Sequence, residues 1–325
     1  MTVLARDEFH PHTHDGWQLH LTRWWSPEHL DKSARPVVIV PGYGMNAFIF
    51  GFHPRGTSLT RHLAEAGFEV WTANLRLQGD AHPLHRGAGE PSLRSFAEID
   101  LPCAIDTILA RTHATASTVS LFGCSLGGSI AYAHLALTEQ ARVGAVVAVG
   151  SPLRWVEVSP LLAVPARAPR LISLVRTKGN RALARTLLPL LARTPSLLSI
   201  YMNAAHVDLS HAAEMAKTVE DAHPRTNHDI ARWIGARDMI LRGVNVTDAL
   251  RQRDLPLLVV LGNRDGIVPE KTALSAVDAW GGRDVEVLRV GTPEDWYAHA
   301  DLFIGNDAPA KVFDPVARWL RAHSG

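Results

Sequence analysis

Cysteine is scarce in this sequence. Only Cys103 and Cys124 occur in 325 residues, one in an expected helix and one beside a serine, so no disulfide framework is implied and a reducing compartment is the default. A surplus of charge is lacking as well: 33 Lys and Arg stand against 32 Asp and Glu, which gives the chain no pull toward nucleic acid. No apolar run approaches the roughly 18 residues that a membrane span needs, and the opening "MTVLARDEFHPHTHDG" carries no apolar core of signal-peptide length. A soluble, cytoplasmic protein is the expectation. Internal repeats and low-complexity tracts are absent too. What is present is a chain with 46% hydrophobic residues, long enough for one large α/β domain with an insertion, or for two domains.

Short apolar runs alternate with helical stretches, the pattern of a mainly parallel sheet covered on both faces. "EFHPHT" and "WQLHLTRWW" flank Asp15-Gly16, a two-residue hairpin signal. Strands are expected over 36–42, 68–75, 119–122, 143–152, 256–262 and 285–291, and helices over 58–66, 93–112 and 308–322. A Gly- and His-rich loop spans 78–90. Residues 153–254 interrupt the alternation, too long a stretch for a structureless loop. Its "LISLVR", "RALARTLLPLLAR", "SLLSIYMNAAHV" and "SHAAEMAKTVEDA" read as apolar helices. We take this stretch as an inserted helical cap over the carboxyl ends of the strands, dividing the core into 1–152 and 255–325. Such a cap would wall the site with apolar side chains and exclude water.

The most informative stretch is "STVSLFGCSLGGSIAYAHLAL", in which Gly123-Cys124-Ser125-Leu126-Gly127 form G-x-S-x-G with Gly128 behind. By chance alone roughly one chain in ten of this length holds such a string, so context has to decide. Here an apolar strand ends at the first glycine and an Ala-rich helix begins at the serine. A serine in that strained turn projects its hydroxyl outward, small flanking residues let strand and helix approach, and the helix start favours negative charge. A covalent acyl-transfer nucleophile needs that placement, and Ser125 is assigned as one. The competing reading is a tight structural turn.

A serine hydroxyl reacts only when a base takes its proton, and that base needs a carboxylate to fix its tautomer. Asp265 follows directly on "LLVVLGNRD", at the carboxyl end of a buried strand, where an open α/β sheet puts its ligands. The same residue in "NRDGIVP" would also suit an Asx turn. His299 in "EDWYAHADLFIG" lies in the loop after the last strand and completes the order Ser, Asp, His. With 17 histidines in the chain, one falls near any chosen place, but His323 sits close to the terminus and His223 inside the cap. Asp301 competes as the carboxylate; two residues from His299, it is better placed to cap the following helix. For the oxyanion, Leu126 N–H supplies one donor. The turn "VVIVPGYGMN" supplies the second, with Tyr43 N–H favoured between Gly42 and Gly44. No G-x-x-x-x-G-K-[ST] or G-x-G-x-x-G follows that turn, which weighs against a phosphate cradle.

"IVPGYGMN", "TANLRLQG", "FGCSLGGS", "VVLGNRDGIVP" and "HADLFIG" occur in an order that resembles the α/β-hydrolase superfamily over most of the chain. "SLTRHLAEAGFEVW" and the histidine, aspartate and apolar ending are similar to the branch holding acid lipases and polyhydroxyalkanoate synthases. The resemblance implies an α/β-hydrolase fold, with Ser125 as nucleophile, Asp265 as orienting acid and His299 as base. Pro41 stands where many relatives have His, so the oxyanion turn is not the commonest version. Polymer synthases have cysteine at the nucleophile position; Ser125 there argues for hydrolysis instead.

Other features weigh less. His10, His12 and His14 alternate without an evident carboxylate partner, so solvated strand histidines are expected rather than a metal site. Residues 154–193 hold eight Lys or Arg and one Glu. A solvated helix face is the simpler reading there, and steering of anionic substrates or contact with acidic lipid the weaker one. Trp24 and Trp25 are expected to pack the hairpin on the core. The sequence thus points to a serine hydrolase of carboxylic esters with apolar acyl groups, with no cofactor or metal called for and a small-molecule substrate rather than nucleic acid. An acyltransferase or thioesterase would use the same residues, and a non-catalytic ligand-binding protein would use the same fold.

Overall fold

The computed structural model describes residues 3–172, 178–191, 194 and 198–324. Among them, runs rich in Val, Leu and Trp become eight strands of one sheet. These are β1 (Ala5–Phe9), β2 (His20–Trp25), β3 (Val37–Val40), β4 (Val70–Asn74), β5 (Val119–Cys124), β6 (Val143–Val149), β7 (Leu257–Gly262) and β8 (Val285–Val290). Their order is β1-β2-β4-β3-β5-β6-β7-β8. Neighbours from β4 through β8 run parallel, while β2 pairs antiparallel with both β1 and β4. Every residue of β3, β5 and β7 is buried, as parallel strands covered on both faces require. One apolar core gathers Leu101, Leu121, Ile130 and Trp280; the other gathers Phe50, Phe122, Leu302 and Phe313.

The helices start where the sequence expects. α1 (Leu59–Glu65) is capped by Ser58, whose side chain accepts from Arg61 N. The helix expected over 93–112 is broken in register: one turn at Leu93–Ser95 leads into a wider turn at Phe96–Asp100, and α2 (Leu101–Arg111) follows. Leu101 N reaches back five residues to Phe96 O, and Pro102 brings no N–H to this junction. α3 (Leu126–Leu137) begins directly behind β5.

The hairpin is present, but its turn is longer than the two residues expected. Thr13 N donates to Trp17 O at 2.7 Å, Gly16 N donates to Thr13 O at 3.1 Å, and Gly16 has φ +91°. That is a three-residue loop ending on a left-handed glycine. Asp15 is turned inward there, accepting from Arg76 at 2.8 and 3.1 Å. Trp24 is half-buried against the core, and Trp25 meets the edge of His113 at 5.0 Å.

Between β6 and β7 the chain leaves the sheet. Helices there include Pro160–Ala166, Pro169–Ile172, α4 (Asn180–Leu191), α5 (Pro224–Ala236) and Val246–Leu250. Parts of "LISLVR", "RALARTLLPLLAR" and "SLLSIYMNAAHV" lie outside the described residues. Two expectations change. Residues 198–207 form turns and no α-helix, because their backbone pairs elsewhere: Ile200 O accepts from Gly266 N at 3.1 Å, and Tyr201 O from Ala300 N at 2.9 Å. Carbonyls engaged with distant loops cannot serve an i→i−4 ladder. "SHAAEMAKTVEDA" likewise gives only short turns, Ala212–Met215 and Ala216–Thr218, and stops at Val219, which bridges to Met45. Beyond β8, a wide turn at Pro309–Phe313 runs into the closing helix α6 (Asp314–Ala322). Among the described residues no helix is long and apolar enough to cross a membrane.

Candidate active site

Ser125 stands between β5 and α3 with φ +53° and ψ −120°. A non-glycine residue held there costs about 1–3 kcal/mol, so its surroundings must fix it. They do: Ser125 N donates to Val149 O of β6 at 2.8 Å, and Ser125 O accepts from Gly128 N at 3.0 Å. The flanking glycines are steric necessities. A methyl group on Gly123 would lie 2.2 Å from Gly128 Cα, and one on Gly127 would lie 2.1 Å from Val40 O. Strands β3 and β5 close on α3 only because no Cβ intervenes. Cys124 is buried beneath the turn, where burial and the nearby Asp265 push its thiol pKa up. It is held as a thiol, not a thiolate.

Asp265 sits just past β7 and uses its two oxygens differently. Oδ1 accepts from Ile267 N and Val268 N, both at 2.8 Å, while Oδ2 accepts from His299 Nδ1 at 2.6 Å. The Asx-turn reading and the histidine-partner reading are therefore both realised, one on each oxygen. With its Nδ1 proton donated to the carboxylate, His299 presents a lone pair at Nε2. Its ring packs over Gly150, where a methyl group would lie 2.9 Å from Cε1. Gly150 directly follows Val149, whose carbonyl holds Ser125 N. The histidine and the serine thus share the end of β6. Asn263 ties the two loops together, accepting from Tyr297 N at 2.9 Å and donating to Thr292 O at 2.7 Å.

Asp301 does not cap the following helix; Ala300 stands at that cap position. Its carboxylate faces backward instead, accepting from Ala298 N at 2.7 Å and from Asn203 N at 2.9 and 3.0 Å. Burial pushes its pKa up to about 6. The residue fastens the 198–203 segment to the loop that carries His299. Tyr201 of that segment tilts against the His299 ring at 5.9 Å. His223 caps α5 by accepting from Arg225 N at 3.2 Å, and His323 ends α6 bonded to Asp284 at 2.9 Å.

The turn behind β3 lies against Ser125: a methyl group on Gly42 would sit 3.0 Å from Ser125 Cβ. Gly44 has φ +62°, and Tyr43 Oη donates to Asn227 Oδ1 at 2.5 Å. Leu126 opens α3, so its N–H belongs to the donors that a helix leaves unpaired at its start. A cleft beside the turn has an apolar side of Tyr43, Met45, Phe96, Leu126 and Ile130 and a polar side of Arg76, Gln78, Glu220, Asp221, His223 and Thr226. Of the alternating histidines, His10 stacks on His20 at 5.3 Å and His12 meets Gln18 at 3.3 Å. In the basic stretch, Arg154 pairs with Asp238 and Arg181 with Glu220. Asn203, Asn263, Gln78 and Glu220 were not legible as site residues: Gln78 and Asn263 stand in strings singled out for other residues, and all four reach their partners only through the fold.

Triacylglycerol lipase 2 of Arabidopsis thaliana is 24% identical over 342 residues, covering 88% of this chain and 76% of the lipase. Among solved structures, a soluble variant of monoglyceride lipase from Saccharomyces cerevisiae, in complex with a substrate analog, aligns with a TM-score of 0.65. Its identity is 16%, over 100% of this chain and 96% of that one. An esterase from Rhodococcus sp. ECU1013 aligns with a TM-score of 0.61 and 16% identity, over 97% of this chain and 99% of that one. At such identities these structures speak for the fold. The family model Hydrolase_4, described as "Serine aminopeptidase, S33", matches residues 32–290. The chain belongs to that family and adopts the α/β-hydrolase fold.

Proposed function

We propose that this chain is a carboxylic ester hydrolase that works through an acyl-enzyme on Ser125 and prefers apolar acyl groups. His299 takes the Ser125 proton as the hydroxyl attacks the ester carbonyl, and Asp265 holds the imidazole in the productive tautomer. The N–H groups of Leu126 and Tyr43 receive the oxyanion. His299 returns the proton to the leaving alcohol, then activates the water that releases the acid. Residues 153–254 form a helical cap over this site. The observation that carries the reading is the strained Ser125 at the end of β5, beside a buried His299–Asp265 pair joined at 2.6 Å. The apolar cleft wall and the similarity to lipases and esterases support the substrate class. The test is labelling with a fluorophosphonate alongside hydrolysis of an aryl ester. Ser125 alone is to be labelled, and Ser125→Ala is to abolish both labelling and turnover. Labelling at Cys124, or none on folded protein, rejects the assignment.

A further inference from the structure

A second layer of residues grips the turn that offers the Tyr43 N–H, and it comes from the cap. Met45 and Val219 form a bridge, Asn46 N donates to Thr218 O at 2.8 Å, and Glu220 N donates to Gly44 O at 2.8 Å. The Glu220 side chain extends the grip. Its Oε1 accepts from Asn46 Nδ2 at 2.5 Å, from Gly79 N at 3.0 Å and from Arg181 of α4 at 2.5 Å. Gly79 directly follows Gln78, whose Oε1 accepts from Leu75 N at 2.9 Å and whose Nε2 donates to Gly42 O at 3.3 Å. The carbonyl of Gly42 and the N–H of Tyr43 belong to one planar peptide and point in opposite directions. Fixing one fixes the other.

Building on the acyl-enzyme reading, we propose that Glu220 is a positioning residue that sets the angle of the Tyr43 N–H, gripping the turn directly at Asn46 and, through Gly79 and Gln78, at Gly42. Arg181, which also donates to Val219 O at 3.1 Å, joins α4 to the same segment, so the oxyanion turn is built partly by the cap. A misaimed donor weakens the transition state and leaves substrate binding alone.

Glu220→Ala is therefore to lower kcat at least tenfold with KM within twofold. Its affinity for a trifluoromethyl ketone, which forms a tetrahedral adduct on the serine, is to fall by the same factor as kcat/KM, with no change for the unreactive methyl ketone. Glu220→Gln, which keeps an acceptor oxygen, is to stay within threefold of wild type. Should Glu220→Ala fail to fold, Gln78→Glu carries the same comparison, because it keeps the acceptor for Leu75 N and sets an oxygen against Gly42 O. An unchanged kcat overturns the proposal, as does a loss that weakens both ketones equally or neither. Fluorophosphonate labelling of the wild type separates the two levels: a labelled Ser125 with an unaffected variant rejects Glu220 alone, and an unlabelled Ser125 rejects the acyl-enzyme reading and this proposal with it.

Discussion

His299 Nδ1 and Asp265 Oδ2 are 2.6 Å apart, with the two side chains only 7% and 1% exposed. The other oxygen of Asp265 is committed to Ile267 N and Val268 N. In Asp265→Asn the amide oxygen must stay on those two donors, so the amide NH₂ is left facing His299 Nδ1. The imidazole then has to move its proton to Nε2, where it can no longer accept from Ser125. We expect kcat to fall by about 10⁴ with the fold intact. A loss below tenfold, paired with a large loss in Asp301→Asn, would transfer the orienting role to Asp301.

Much of this site was legible because it is local. The elbow is a contiguous string, and the glycine requirement at Gly123 follows from strand and helix meeting within a few residues, whereas that at Gly127 is set by Val40 O of β3, distant in sequence. Asp265 and His299, which the structure joins at 2.6 Å, were singled out from strand ends, which apolar runs mark well. What was not legible depends on partners far along the chain. The hairpin turn is set by Asp15 meeting Arg76, 61 positions away. The 198–222 stretch has helical composition, yet its carbonyls and N–H groups pair with Gly266, Ala300, Asn46 and Gly44. α5 ends on Arg237 at φ +67°, where the usual sequence signal is glycine.

Asp301 should leave a mark on the pH dependence of stability. Its folded pKa of about 6 stands above the ordinary carboxylate value of 3.8, so between these values the folded state binds the proton and the unfolded state does not. Stability from this group is highest at low pH and is lost as pH rises through about 6. In Asp301→Asn that term is gone. The stability advantage of wild type over Asp301→Asn, measured by urea unfolding, should shrink by roughly 2 kcal/mol between pH 4.5 and 7.5. An advantage that grows with pH would contradict the assignment.

Arg76 is fully buried and makes bidentate contact with the equally buried Asp100, at 2.6 and 2.8 Å, besides its bonds to Asp15. Removing the guanidinium leaves an uncompensated carboxylate in the core. Arg76→Met should cost about 3–5 kcal/mol. Adding Asp100→Asn should restore more than half of that loss, since the stranded charge is what hurts. A single substitution costing under about 1 kcal/mol, or a double substitution with no recovery, would mean that water or a neighbour compensates the site.

Acyl preference is the sharpest test of the cleft's apolar side, formed by Tyr43, Met45, Phe96, Leu126 and Ile130. Each methylene moved from water onto such a surface is worth about 0.8 kcal/mol. If that energy is expressed in the transition state, kcat/KM rises roughly threefold to fourfold per added methylene until the cleft is full. Measuring kcat/KM for acetyl through decanoyl aryl esters gives the slope and the break point together. Phe96→Ala should move the break toward longer chains, because the wall recedes, while leaving the slope below the break unchanged. A profile that peaks at acetyl and falls steadily would mean that the cap closes a small pocket, and the apolar-acyl reading would give way to a short-chain esterase or a non-ester substrate.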